Sequence, residues 1–246
     1  MTYQSYEIHE ETRESRWLIT CDHASNAVPP EVASGDLGLP PADMNRHIAY
    51  DLGAAGVTHA LADLMGAPAI LSRFSRLVID PNRGQDDPTL IMKLYDGTIV
   101  PANRHIDHGE EQRRIAAYWK PYHDAYEALA TRRDDTVIVA IHSFSPKLNG
   151  RKPRPWQIGV LHAGDTSLGP ALVARLEREP DLCVGDNEPY AGHLPGDAVD
   201  QHALQKGRPN VLIELRHDVI ETDEQQHAWA RRLAPILTQV LAETGL

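Results

Sequence analysis

The chain has 246 residues, with 24 Lys and Arg against 35 Asp and Glu, a net charge of −11 at neutral pH. Hydrophobic residues make up 41% and charged residues 24%, a globular composition long enough for one large domain or two small ones. No unbroken apolar run exceeds five residues, against the ~20 that cross a bilayer. The opening MTYQSYEIHEETRESRW is too polar for a secretory signal. Membrane-spanning, signal-secreted and disordered classes are therefore excluded, and a cytoplasmic location is expected.

In chain order, short apolar, β-branched runs predict strands at 17–21, 69–71, 77–80, 137–141, 158–161 and 211–215. Helical patterns fall between and after them at 42–65, 110–130, 167–179 and 223–243. The last helix opens with Thr222-Asp223-Glu224-Gln225, a capping box, and closes near Gly245. Pro121 and Pro235 lie inside helical patterns and are expected to kink or split them. The polar, Pro-rich stretch 143–157 reads as a surface loop. No repeat or linker divides the chain, so 1–246 is read as one α/β domain with a largely parallel, buried sheet.

The acidic charge is spread along the chain without a Lys/Arg cluster, which argues against nucleic acid and anionic membranes as partners. Two cysteines, Cys21 and Cys183, are too few for a Cys-rich zinc site and read as small buried residues in a reducing compartment. Histidine is the enriched type, 13 of 246, which favours imidazole chemistry or metal binding.

The chemistry stands at the strand ends. One strand runs into Asp22-His23-Ala24-Ser25-Asn26, another into Asp80-Pro81-Asn82-Arg83, a third into His142-Ser143 and a fourth into Glu214-Leu215-Arg216. In open α/β sheets ligands bind beyond the carboxyl ends of the strands, so these segments can build one polar site. Each also has a plainer reading. Asp22 to Asn26 can be turn and cap chemistry, Asn82-Arg83-Gly84 a turn, and Glu214 half of an ion pair with Arg216 or Arg83. Ser143 beside His142 is no serine nucleophile pair, because neighbouring strand residues point to opposite faces and no Gly-x-Ser-x-Gly elbow is present. His105 and His108 have metal-like spacing in a polar stretch and read as surface. The 187–196 stretch reads as an ordered loop.

The segments CDHASNAVP, SRFSRLVIDPNR, IHSFSP and VLIELRHD, spread over about residues 16 to 220, resemble the N-formylglutamate amidohydrolase family. That family stands within the zinc-carboxypeptidase-like superfamily that also holds the aspartoacylases. The resemblance implies an α/β fold with a mixed, mainly parallel central sheet flanked by helices. It implies a single zinc ion held by His23, His142 and the residue at position 26, where Asn26 stands in place of the family's Glu. An amide there brings a dipole instead of a full charge and weakens the site, with Asp22 or water as the alternative ligand. By the same resemblance Glu214 is the carboxylate that activates water, and Arg73 polarises the scissile carbonyl, with Arg76 competing for that role. Asn82 and Arg83, with Arg216, grip a substrate carboxylate, and the Pro189-Tyr190-Ala191-Gly192 stretch lies near the pocket. The implied activity is hydrolysis of the amide of a small anionic N-acyl amino acid, N-formyl-L-glutamate first. A related deacylase or carboxypeptidase, and a catalytically weak carboxylate-binding protein on the same fold, stand as alternatives. The sequence leaves the oligomeric state open.

Overall fold

A computed structural model describes residues 3–164 and 168–246. The first half holds β1 (Tyr6–His9), β2 (Trp17–Cys21), α1 (Pro41–Met44), α2 (Ala54–Leu64), β3 (Ala69–Ser72), β4 (Leu94–Tyr95), β5 (Thr98–Ile99) and α3 (His108–Arg114). The second half holds α4 (Lys120–Ala130), β6 (Val137–Phe144), β7 (Ile158–Leu161), α5 (Leu168–Leu176), β8 (Val184–Asp186), α6 (Ala198–His202), β9 (Asn210–Arg216) and α7 (Asp223–Thr244).

Seven strands form one mixed sheet in the order β1-β3-β2-β6-β9-β7-β8, and β4 and β5 form a separate hairpin. The central strands β3, β2, β6 and β9 run parallel, β1 and β7 join antiparallel, and β8 follows β7. Every residue of β2 and β6 is buried, as expected for parallel strands covered on both faces.

Side-chain parity divides the core. Trp17, Ile19, Val137, Val139, Val211 and Ile213 pack under α2, α5 and α7, whereas Leu18, Ile138, Ala140 and Leu212 pack under α4 and α6. His142 and Glu214 are register partners on neighbouring strands and share the parity of Ala140 and Leu212. The pattern that fills the second layer thus also aims the His142 and Glu214 side chains at one face.

Several predicted elements take a different form. Residues 77–80 are not a strand: Val78 donates to the Ser75 carbonyl and Asp80 to the Leu90 carbonyl in a turn. Leu77, Val78 and Ile79 bury themselves instead in a third apolar cluster with Phe74, Val32 and Ile48. A short apolar run carries no period that separates a strand from a buried turn. The helical stretch 42–65 divides into α1 and α2, and the segment between them carries Asp51. Around Pro121 the helix passes through a π-type turn at Ile115–Trp119 before α4 begins, whereas α7 runs unbroken through Pro235. The capping box at Thr222 and Gln225 forms as expected. The strand end at 143–144 belongs to β6 and not to the following loop. Residue 167, the expected helix start, lies outside the described residues. Cys21 is buried but Cys183 is exposed, which corrects the reading of both as core. Among the described residues no helix is long and apolar enough to cross a membrane.

Candidate active site

The carboxyl ends of β2, β6 and β9 open onto a cavity of about 260 Å³ lined by His23, Asp51, Arg76, Asn82, Arg83, His142 and Glu214, with Tyr95, Tyr190 and His193 toward its rim. His23 leaves the end of β2 in a turn, and its carbonyl accepts from Asp51 N at 2.9 Å. Gly53 then turns the chain into α2 with φ +79°, and a Cβ there would lie 2.2 Å from the Ile220 carbonyl oxygen. Only glycine fits that bend, which fixes Asp51 at the floor of the cavity.

Asp51 Oδ2 lies 2.8 Å from His142 Nδ1 and 3.3 Å from His23 Nδ1, and it also accepts from Ser143 N. The far side of each ring is held by a second carboxylate: His23 Nε2 lies 2.7 Å from Asp80 Oδ1, and His142 Nε2 lies 3.1 Å from Asp22 Oδ2. Tyr122 donates to Asp22 at 2.6 Å, and Arg76 donates through Nε and Nη2 to Asp80 Oδ2. All these groups are buried. His123 and Trp119 donate to the carbonyls of Pro81 and Arg83, and so hold the 80–83 segment against α4.

His23, Asp51 and His142 form a buried group able to hold a metal ion, with ligand atoms within 4.8 Å of one another. The donor set fits a transition ion: two imidazoles, one carboxylate, and an outer carboxylate orienting each ring. Charge balance agrees. With both imidazoles neutral, Asp22, Asp51 and Asp80 outnumber the guanidiniums of Arg76 and Arg83 near them, a negative excess in a low-dielectric site that a bound cation offsets. Without a cation in place, a proton on His142 takes up part of that negative charge. Burial works against charge on His142, yet its hydrogen bonds to Asp22 and Asp51 raise its pKa well above the usual imidazole range. Burial likewise opposes ionisation of Asp51, but the charges of His23 and His142 hold its carboxyl far below the usual range. The pocket attracts positive charge where these three side chains meet.

Glu214 lines the same cavity, and its Oε2 has no hydrogen-bond partner. Burial pushes its carboxyl up to about 7, which the nearby histidines only partly offset. Gly159 of β7 sits opposite it, where a Cβ would come within 2.1 Å of the Glu188 carbonyl oxygen. The missing side chain lets the loop carrying Tyr190 approach the site.

The structure does not bring together every residue that the sequence singled out. Asn26 is outside the cluster: its Nδ2 donates to the Met44 carbonyl and to Asn45 Oδ1, which ties it to the end of α1. The stretch directly after β2 is irregular, so a three-residue spacing does not carry Asn26 back beside His23, and the carboxylate between the two imidazoles is that of Asp51. Asn26→Glu should therefore leave metal affinity unchanged in calorimetric titration, while Asn26→Ala costs about 1 kcal/mol of stability through the lost hydrogen bonds. Arg73 is exposed and faces a different cleft; Arg76 is the arginine beside the cluster. Arg216 is committed to Asp218 and to the carbonyls of Arg154, Pro155 and Trp156. His105 and His108 are exposed. Sequence reading missed Asp51, although a lone acid in Ile48-Ala49-Tyr50-Asp51-Leu52-Gly53 is the signal that was there to find.

The family described as N-formylglutamate amidohydrolase matches residues 15–221. An N-formylglutamate deformylase of Pseudomonas aeruginosa is 28% identical, over 74% of this chain and 75% of its own length. The crystal structure of an Agrobacterium tumefaciens gene product superposes with a TM-score of 0.92 at 32% identity, covering 99% of this chain and 97% of the other. That of an N-formylglutamate amidohydrolase from Ralstonia eutropha superposes with a TM-score of 0.73 at 21% identity, covering 98% of each chain, which is a likeness of fold.

Proposed function

The chain belongs to the N-formylglutamate amidohydrolase family, hydrolases of carbon–nitrogen bonds outside peptides, and we propose that it cleaves N-formyl-L-glutamate to formate and L-glutamate with one zinc ion. The observation that carries this reading is the convergence of His23, Asp51 and His142, each ring braced by an outer carboxylate, beside a Glu214 with a free oxygen.

An amide carbonyl is a poor electrophile and neutral water a poor nucleophile. His23, Asp51 and His142 would hold the zinc, which when bound would supply Lewis acidity to both. Glu214 takes the proton of the attacking water at Oε2 and passes it to the leaving amine. Its place in the cavity wall and its unpartnered Oε2 suit both halves of that task. Arg76, with Nη1 3.6 Å from Asp51 Oδ1, is the guanidinium nearest the cluster and faces the negative charge that develops on the carbonyl oxygen. Arg83 and Asn82 receive the substrate carboxylate at the wall. Asn82 Oδ1 accepts from Ala198 N at 3.1 Å, which leaves its amide N–H groups to donate. An acidic protein needs such local positive charge to hold an anion.

Asp51 restores the ligand charge whose loss at position 26 pointed to a catalytically weak binding protein, and so supports the enzyme. The test is a substrate panel of N-formyl-L-glutamate, N-acetyl-L-glutamate and a glutamyl peptide, each with zinc and with chelator. Turnover of the formyl compound that the chelator abolishes is expected. No turnover of it by zinc-loaded protein, or faster cleavage of the acetyl compound or peptide, overturns the assignment.

A further inference from the structure

A second metal-ligating group lies on the surface, away from the cavity. Glu7 and His9 stand two apart on β1 and so share a face of that strand. His59 and Asp63 stand four apart on α2 and share a face of that helix. The two faces meet. Glu7, His9 and His59 place ligand atoms within 4.8 Å of one another, with Glu7 Oε1 3.6 Å from His59 Nε2 and the two imidazoles edge to face at 4.9 Å between centroids. Asp63 Oδ1 lies 2.8 Å from His9 Nε2 and fixes that ring, and Arg13 in turn donates to Asp63. Among the described residues this and the buried group are the two sets with such convergence.

We infer that Glu7, His9 and His59 form a second site for a borderline divalent transition ion such as Zn²⁺, which clasps the edge strand β1 to α2. The donor chemistry decides the class of ion. Two imidazoles with one carboxylate suit Zn²⁺, Ni²⁺ or Cu²⁺, whereas Mg²⁺ and Ca²⁺ demand oxygen donors. The local charge is mixed: Glu7, Glu10 and Asp63 oppose Arg13 and Arg73, which lines one cleft with Glu7 and His59. Together with the partial exposure of all three ligands, this makes the site weaker than the buried one and exchangeable with solvent. Its role is structural. β1 is an outermost strand held to the sheet through β3 alone, and a metal clip adds a tie between β1 and a helix on the face of the sheet.

This surface group shares no residue with the buried cavity, so its metal binding is independent of hydrolysis. The experiment titrates chelator-stripped full-length protein with ZnCl₂ by calorimetry and counts bound zinc after dialysis. Two classes are expected, one tight and one weaker. His59→Ala and His9→Ala should each weaken only the second class, by more than the ~10–100-fold that losing an outer partner costs. Hydrolysis by the tight-site zinc form should be unchanged in both variants. Cobalt loading gives an independent signal, a second set of visible bands that disappears in His59→Ala and persists in His142→Ala. A wild-type protein that binds one zinc, or a weaker class that survives in the His9→Ala, His59→Ala double variant, overturns the proposal.

Discussion

Glu214→Gln is expected to lower kcat for N-formyl-L-glutamate by ~10²–10⁴ while zinc content and KM stay near wild type. The change is nearly isosteric and removes only the ability to accept and return a proton. Glu214 is buried in β9, its Oε2 lacks a partner and burial holds its carboxyl near 7, so no structural ion pair depends on its charge. The amide should sit in the same space without breaking a hydrogen bond at Oε2. Steady-state kinetics on the zinc-loaded variant, with metal content measured on the same sample, decide the matter. Unchanged kcat returns Glu214 to a packing role, and lost zinc would make it part of the metal shell.

Removing the charge of Asp51 should have the largest effect on metal binding. Asp51→Asn keeps the shape of the side chain, but it takes a full negative charge from the point where His23 and His142 meet. Zinc affinity should fall by more than the ~10–100-fold of an outer partner, and activity should fall with occupancy. The choice of Asn over Ala matters. Asp51 Oδ2 accepts from Ser143 N and faces both imidazoles, and its Oδ1 lies near Arg76. Truncation would strand several buried polar groups and cost about 3–5 kcal/mol, which confuses lost ligation with lost fold. Thermal unfolding of metal-free wild type and Asp51→Asn checks that the folds are comparable, and zinc retained at one per chain after dialysis would exclude Asp51 from the site.

The candidate site was legible where a cavity-lining residue rides on a regular element. His142 and Glu214 follow apolar runs whose period-two parity aims both at one face. His23 follows another such strand, and Asn82 and Arg83 reach the cavity although their own segment is a turn. The site was illegible where the chain leaves a strand and bends. Asn26 shares the family's spacing from His23, yet the irregular path after β2 sends it to α1. Asp51 sits 28 residues from His23 and reaches it through a glycine turn that no periodicity announces. Arg73 and Arg76 are equivalent as sequence, and only the turn at 74–79 buries one and exposes the other.

The α/β class, the buried parallel strands 17–21 and 137–141, the capped final helix and the chemistry at the strand ends all follow from the order of residues, because burial period and capping are local properties of a chain. Which carboxylate completes the His23–His142 pair, which arginine enters the cavity, and where β1 meets α2 follow from tertiary structure alone. Those outcomes depend on contacts between residues far apart in the chain, settled by how the loops close over the sheet and by the charge that a low-dielectric pocket must balance.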